Sequence, residues 1–288
     1  MRYLKVIPLM LILLGFSMRG EDSHFEYFAP RNIYSFAECL FNDGQYDRAA
    51  GEYSRFLFAA DSFPGKADSI FFKIALCYRY SEKYKESINY FHKIIDGYKE
   101  SSLLDESYLE IGLCYSFSNS YEQSNEILKS YFVSDSPSRL DVPARQLIAL
   151  NHIQRKEWDQ ARDFIYGMDV SFDQLLSFIE KGQNLPRKSA FISGLLSTVI
   201  PGAGKFYCNR PMDGVHSLVT VGITGWQAYE GFNEDGIHSV KGWIFGVLGG
   251  IFYLGNIYGS VVAADIYNQE QDVIFKISVS KYMNENFK

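Results

Sequence analysis

The chain has 288 residues, 47% of them hydrophobic, which is enough to bury one large core or two medium ones. Its net charge of −6 argues against a nucleic-acid partner, because a nucleic-acid surface needs a basic stripe that displaces counterions. Four cysteines are too few for a disulfide framework in a chain of this length, and we expect buried free thiols instead.

The N-terminal residues 1–17 have the pattern of a secretory signal peptide. Arg2 and Lys5 form a basic start, and the stretch from Val6 to Phe16 is apolar and too short to cross a bilayer comfortably. Gly15 and Ser17 supply the small residues at which such a peptide is cleaved. The segment that follows is therefore expected to leave the cytoplasm. An uncleaved N-terminal anchor is the alternative.

A repeat with a period of 37 to 38 residues follows, and three cysteines define its register. Cys39, Cys77 and Cys114 are each followed seven residues later by a tyrosine, then by a small residue and a bulky residue. A fourth copy without a cysteine runs from Ala149 to Ile165. Two stretches of each copy place apolar residues at the i, i+3, i+4, i+7 spacing of a helix. The repeat therefore predicts stacked two-helix units.

This pattern resembles the tetratricopeptide repeat (TPR), in which Tyr-x2-Ala-x3-Phe on the second helix follows a small residue and a tyrosine on the first. The first copy matches it best, with Tyr46, Ala49 and Tyr53. The turn glycine survives only at Gly44, and the period exceeds the roughly 34 residues of the family. The resemblance implies an all-α fold, with a TPR-like helical solenoid at residues 30–185 that contains about four units and a capping helix.

The resemblance also implies a concave groove, lined by the first helices of the units, that binds an extended peptide or a helix of another protein. By register, the groove would present aromatic, aliphatic and two charged side chains: Tyr34, Glu38, Phe41, Phe72, Leu76, Arg79, Tyr80, Leu109, Leu113, Phe117 and Leu150. Such a surface suits an apolar partner segment with a carboxylate or backbone contact. Packing of these side chains against a neighbouring unit is the alternative.

The composition changes after Lys188, and three uncharged runs follow at residues 189–204, 214–229 and 242–264. Because about 20 residues cross a hydrocarbon core, the third run predicts a span. We expect the second run to span as well, and the first either to span or to re-enter. The sequence thus predicts a two- or three-helix membrane segment at 187–266, with residues 189–265 in contact with the membrane. A buried hairpin in a soluble domain is the alternative. The tail at 267–288 is expected to form a short strand at most.

Two motifs lie in this region: Pro201-Gly202-x-Gly204-x2-Tyr207 at its start and Gly255-Asn256-x2-Gly259 near its end. They resemble the short bacterial membrane hairpins that begin with P-G-x-G-x-x-Y and end with G-N-x-Y-G. The resemblance implies membrane integration and no reaction. Glycines at four-residue spacing in the third run also favour close packing of helices in a membrane.

Residues that could carry catalysis are sparse in this sequence. The five histidines show no metal-ligand spacing, no G-x-S-x-G occurs, and Gly204-Lys205 lacks the other residues of a phosphate-binding loop. His216 and Cys208 flank the hairpin without a recognisable catalytic partner. We therefore expect no catalytic residue, metal, cofactor or small-molecule substrate.

Together, these features predict a membrane-anchored scaffold of the bacterial cell envelope, with a periplasmic repeat domain that binds another protein. A non-catalytic subunit of a transport or envelope-assembly complex is the alternative, and a membrane enzyme is a third.

Overall fold

The structure, a computed structural model, describes residues 29–59, 67–132, 138–166 and 172–287. The predicted signal peptide at residues 1–17 lies outside these described residues. Their regular structure is entirely helical, which confirms the all-α prediction. The chain divides into two compact units between Phe172 and Asp173, and each unit is described separately.

The first unit is a run of helical hairpins. Its described residues form α1 (Pro30–Asn42), α2 (Tyr46–Ala59), α3 (Ala67–Tyr80), α4 (Tyr84–Gly97), α5 (Leu104–Phe117), α6 (Tyr121–Phe132), α7 (Asp141–Gln154) and α8 (Trp158–Tyr166). Each helix packs against the next in the chain, and α5 also packs against α7. The helices pair into four hairpins, one for each copy of the sequence repeat. The predicted solenoid-like stack of two-helix units is thereby confirmed.

The same turn joins the two helices of each hairpin. Gly44, Glu82, Asn119 and Lys156 occupy equivalent positions in the four copies, and their φ angles lie between 60° and 74°. The residue after each of them donates its N–H to the carbonyl five positions earlier, at 2.8 to 2.9 Å. This is the Schellman closure of a helix, which requires a left-handed residue. The left-handed turn therefore persists in the three copies that have lost its glycine.

Small residues allow the two helices of a hairpin to approach closely, as the repeat pattern predicts. The Ser87 hydroxyl donates to the Ala75 carbonyl at 2.8 Å, and the equivalent Ser124 hydroxyl donates to the Gly112 carbonyl at 2.8 Å. All four residues are buried. A Cβ atom at Gly112 would lie only 2.7 Å from a methyl carbon of Leu128. A larger side chain at these crossings would force the helices apart.

The repeat cysteines are free thiols, but they are not all buried. Cys77 and Cys114 lie in the core, whereas Cys39 is exposed. The prediction of a buried thiol is therefore wrong for Cys39. Cys39 lies on α1, which is the first helix of the described residues. Among the described helices, none precedes α1 and covers its outer face.

The second unit contains four longer helices and two short ones. They are α9 (Asp173–Gln183), α10 (Ala190–Val199), α11 (Ala203–Tyr207), α12 (Pro211–Asp235), a 3-10 turn (Gly236–His238) and α13 (Val240–Asn286). Helices α12 and α13 form an extensive hairpin, and α10 and α11 pack against α13. The two sequence motifs of the region thus lie on helices that contact one another.

Helix α13 continues through the predicted tail, so the expected short strand at residues 267–288 is wrong. Phe275, Val279, Tyr282 and Met283 are buried. Their spacing of three to four residues is that of one helix face. The alternation of apolar and polar residues, which suggested a strand, extends over only a few residues. The helical spacing of the buried residues extends further and determines the structure.

Helix α9 belongs to the second unit, although the sequence predicted it as a cap for the repeats. The ring of Phe178 lies 5.6 Å from that of Tyr282 and 6.5 Å from that of Phe275, both on α13. The apolar face of α9 therefore packs, through Phe178, against α13. A capping role at residues 173–185 stays a prediction.

Within the described residues, α13 is the one helix long and apolar enough to cross a membrane. Only 22% of its most apolar window is buried, whereas the core helix of a soluble protein would be mostly buried. Helix α10 is apolar but has 10 residues, and α12, which contains the second uncharged run, does not meet the same criterion. Membrane spans in the first and second runs stay predictions.

Candidate functional site

The predicted groove residues lie on the first helices of the four hairpins. Tyr34, Glu38 and Phe41 are on α1; Phe72, Leu76, Arg79 and Tyr80 are on α3; Leu109, Leu113 and Phe117 are on α5; and Leu150 is on α7. Arg79, Leu113 and Leu150 are buried, at 6%, 2% and 0% exposure, and the other eight are half-buried. Leu113 and Leu150 therefore belong to the core and offer no surface to a partner.

An aromatic cluster connects the first two hairpins. The rings of Phe41, Tyr46 and Tyr80 lie 5.0 to 5.8 Å from one another. One repeat further along, Tyr84 stacks on Phe117 at 6.2 Å in the equivalent arrangement. Tyr80 and Phe117 thus pack against a neighbouring unit, as the alternative interpretation held, while part of each ring remains accessible. The tyrosines that follow the turns were recognised as markers of the repeat, but not as part of this surface.

Glu38 ties the first two hairpins together. Its carboxylate accepts hydrogen bonds from the Tyr53 hydroxyl at 2.5 Å and from the Lys73 ammonium at 3.2 Å. Burial alone would raise the pKa of Glu38, but these two hydrogen bonds outweigh it and hold the pKa below its ordinary value. Lys73, a residue that the sequence had not singled out, also lies 5.1 Å from the ring centre of Phe41. Glu38 is therefore ionised and already paired.

Arg79 was expected to offer a cation to a partner, and it is paired inside the unit instead. Its Nε lies 2.6 Å from the carboxylate of Glu110 on α5, and its guanidinium lies 4.4 Å from the ring centre of Tyr80. Burial raises the pKa of Glu110 to about 7, with the Arg79 charge acting in the opposite direction. Glu38 and Arg79, the two charged residues of the predicted groove, are thus both paired within the unit. The groove residues that stay partly accessible therefore form an aromatic and nearly neutral surface.

Residues 70–101, which form most of the second hairpin, match the family described as tetratricopeptide repeat. This segment is thus similar to a single TPR. The match covers one of the four hairpins. The shared left-handed turn relates the other three hairpins to it, and the equivalent serine contact also relates the third. A search of the curated proteins found no match to this chain. Proteins built from TPRs are generally non-catalytic scaffolds that bind other proteins.

A buried polar network joins the third and fourth TPR-like hairpins. Asn151 on α7 donates to the Ser124 hydroxyl at 2.9 Å and to the Asn125 side-chain carbonyl at 2.8 Å, and it accepts from the Ser116 hydroxyl at 2.7 Å. Its amide is thus fully occupied on both sides. The network fixes α7 against α5 and α6, and sequence reasoning missed it because the partners lie 26 to 35 residues apart.

The Pro-Gly-x-Gly motif of the second unit is a tight crossing of backbones, in which Pro201 precedes the turn. Gly202 has a φ of 88°, and a Cβ atom there would lie 2.1 Å from the Gly214 carbonyl oxygen. A Cβ atom at Gly204 would lie 1.9 Å from the Ser193 carbonyl oxygen. Both positions therefore require glycine.

The two motifs of the second unit meet through Asn256. Its side-chain carbonyl accepts from the Gly202 N–H at 3.0 Å, and its amide donates to the Ser197 carbonyl at 3.3 Å. The Tyr207 hydroxyl accepts from the Ser189 N–H at 3.2 Å, at the N-terminal end of α10. Of the predicted motif residues, Gly202 and Asn256 are thus in direct contact, and the Cβ position of Gly255 is open.

Serines complete the crossing and were not predicted. The Ser193 hydroxyl donates to the Ser260 carbonyl at 2.6 Å, and the Ser197 and Ser260 hydroxyls lie 2.7 Å apart. The Ser197 hydroxyl also accepts from the Gly204 N–H at 2.9 Å. Gly259 lies beside the Lys205 side chain, where a Cβ atom would make an ordinary van der Waals contact with its Cε at 3.5 Å. Serines at four-residue spacing in an uncharged run are the signal that could have indicated this packing.

Proposed function

We propose that the protein is a membrane-anchored TPR scaffold of the bacterial cell envelope. The repeats bind a segment of another protein, and the C-terminal unit holds them at a membrane, with the repeats in the periplasm. The binding half of the proposal is supported by the TPR match at residues 70–101 and by the aromatic surface of the first helices.

One observation carries the membrane half of the proposal: the C-terminal hairpin region is small and polar inside and large and apolar outside. Every buried residue between positions 190 and 264 is Gly, Ala, Ser, Thr, Cys or Asn. Most of the large apolar side chains of the same region are exposed, and the others are half-buried. Among the exposed ones are Phe191, Val199, Ile223, Ile251 and Leu254, at 58% to 76%. Helices that pack through small residues and leave their apolar side chains outside suit a lipid environment.

The anchor is tested by placing charges on two parts of α13. Val247 and Leu254 are 58% and 67% exposed within the apolar run, so lysine at both positions leaves the internal packing intact. Each lysine at the centre of a spanning helix costs about 2.5–3.5 kcal/mol. Lysine at Val273 and Ile277, which are 54% and 62% exposed on the same helix beyond the run, is the matched control.

We expect wild type and the control variant to stay in the membrane pellet after carbonate extraction, and the Val247/Leu254 variant to be released. Release of the wild type by carbonate would exclude an integral anchor. In membranes from intact and opened cells, protease should cut the repeats only once the periplasm is opened. The accessibility of a C-terminal tag to the same protease then shows on which side of the membrane the chain ends, and so whether the number of spans is odd or even.

Partner binding is tested by photo-crosslinking from the full chain in membranes. A photoreactive phenylalanine in place of Leu76 or Tyr80 reports on the first-helix surface. The same residue in place of Phe58, which lies on α2 and is 88% exposed, is the control. We expect one discrete adduct from the two first-helix positions and none from position 58. Identical adducts from all three positions would contradict binding by the first helices.

A second candidate function, a non-catalytic subunit of a transport or assembly complex, is favoured by one observation. Gly250 and Gly255 on α13 face open space, so the packing of this unit does not explain them. In this case Gly250→Leu should prevent assembly with other membrane proteins while leaving the unit folded. Gly249→Leu should disturb the unit itself, because a Cβ atom at Gly249 already lies 3.2 Å from Thr224.

A further inference from the structure

A pocket of about 310 Å³ lies between α11, α12 and α13 in the second unit. Its lining includes the polar residues Lys205, His216, Ser217 and Asn256 and the apolar residues Ile251 and Phe252. Both apolar residues are exposed, at 59% and 42%, so the apolar wall continues onto the outer surface of the unit. The pocket thus combines hydrogen-bond donors with an apolar track that leads out of it.

Lys205 supplies a positive charge to this pocket without a matching negative charge. Its ammonium donates to the Ser217 hydroxyl at 2.6 Å. No carboxylate of the described residues lies within ion-pair distance of it. Asp213, one turn before Ser217 on α12, is bound to Arg210 at 2.7 Å. A half-buried ammonium whose partner is a neutral hydroxyl is only partly compensated, so the pocket favours an anion.

The donors around Lys205 suit an oxyanion with several acceptor oxygens. The ammonium has two further N–H groups, and Ser217 accepts from Lys205 and so keeps its own hydrogen to donate. One N–H of Asn256 is used by the Ser197 carbonyl, which leaves the second. A phosphate can accept from several such donors at once.

The position of the pocket along α13 indicates where the anion comes from. Asn256 and Gly259 lie in the last part of the uncharged run, which ends at Asp265. On α12, Ser217 lies only one turn, about 6 Å, from Asp213, which precedes the second uncharged run. If α12 crosses a membrane, the end of the pocket that holds Ser217 and the Lys205 ammonium is therefore close to the level of the lipid headgroups. Ile251 and Phe252 lie further into the run, where acyl chains would be.

We propose that this pocket binds the phosphate of an anionic membrane phospholipid, with Lys205 and Ser217 as donors to its oxygens and the acyl chains along Ile251 and Phe252. This inference rests on the membrane anchor of the proposed function. It adds a specific lipid site to that anchor, independent of the partner that the repeats bind.

The test uses the full-length protein in nanodiscs that contain equal amounts of phosphatidylglycerol and phosphatidylcholine. Lipid that stays bound after mild detergent extraction is measured by native mass spectrometry. We expect the wild type to retain phosphatidylglycerol about tenfold over phosphatidylcholine. Lys205→Met should abolish this preference, and Lys205→Arg should keep it. Lys188→Met is the matched control, because Lys188 lies over the Tyr207 ring, outside the pocket.

Each outcome decides between distinct possibilities. Equal retention of the two lipids by the wild type overturns the lipid site without reference to any variant. Equal loss in Lys205→Met and Lys188→Met also overturns it, because the preference would then reflect general charge. Displacement of the lipid by millimolar inorganic phosphate would overturn the lipid as the ligand in favour of a free-phosphate site. Failure to enter any nanodisc would instead refute the membrane anchor. Protection of the buried Cys208 thiol confirms that each variant is folded.

Discussion

Replacing Glu82 by glycine is expected to stabilise the second hairpin, although Glu82 is exposed and its side chain makes no hydrogen bond or ion pair within the described residues. Its φ of 60° is left-handed. That conformation costs a residue with a side chain about 1–2 kcal/mol, whereas glycine adopts it freely. Glycine loses about 0.5–1 kcal/mol more backbone entropy on folding. The net stabilisation is therefore about 0.5–1 kcal/mol.

Cys77 is a suitable reporter for this change, because it lies in the core cluster that joins the first and second hairpins. It is fully buried, and burial raises the pKa of its thiol to about 12. A thiol reagent therefore reacts with it only when the hairpins open. At about 1.36 kcal/mol per factor of ten, Glu82→Gly should slow this reaction about two- to fivefold. Peptide mass spectrometry separates Cys77 from the exposed Cys39.

Two glycine-to-alanine variants of the first hairpin provide the control. Gly44 and Gly51 both have open space around their Cβ positions, but only Gly44 has a left-handed φ, of 74°. Gly44→Ala should therefore speed the reaction of Cys77 severalfold, and Gly51→Ala, within α2, should slow it. Two results would show that backbone strain does not set the stability of these turns. One is a faster reaction of Cys77 in Glu82→Gly, and the other is a change of its rate in the same direction in both alanine variants.

Three further predictions concern the ion pair and the two close crossings. Glu38→Gln should lower stability by about 1 kcal/mol in urea unfolding at neutral pH. Because the folded pKa of Glu38 is below the ordinary 4.5, this difference should be complete above that value and vanish as the pH falls through the folded pKa. Gly112→Ala should destabilise the third hairpin by about 1–3 kcal/mol, and Leu128→Val in the same chain should recover part of the loss, measured by Cys114 labelling. Gly204→Ala should expose the Cys208 thiol, and Gly250→Ala, with open space at its Cβ, should leave it protected.

The helices of the repeats could be predicted from sequence because their apolar spacing and their 37- to 38-residue period agree. Periodicity identifies the apolar stripe of a helix, but not which part of the stripe a neighbouring helix covers. Leu76 and Leu113 occupy equivalent positions on α3 and α5, each directly before a repeat cysteine, yet the first is half-buried and the second is in the core. The pairing of Arg79 with Glu110 likewise depends on how α3 and α5 stack. Three of the predicted groove residues, Arg79, Leu113 and Leu150, are therefore buried, and partner binding by the others stays a prediction.

The motifs of the C-terminal unit could be located from sequence, but not explained by it. Gly202 and Asn256 are 54 residues apart, and their hydrogen bond exists only once α10, α11 and α13 are packed. In the sequence, Lys205 suggests a phosphate-loop motif that its neighbours do not fit. Its role in the pocket depends on its contact with Ser217, which lies 12 residues away on another helix.

The two units hold their helices together by different means. In the repeats, the largest fully buried side chains include Tyr53, Phe91 and Phe132, so the removal of apolar area from water stabilises the stack. Residues 190–264 bury no such side chain. Small residues bury little apolar area, so contacts between backbones and hydroxyl hydrogen bonds must hold these helices, and in water the exposed apolar side chains would favour other arrangements. Apolar surroundings would therefore favour the geometry of the Gly202–Asn256 crossing over these other arrangements, which agrees with the membrane anchor that we propose.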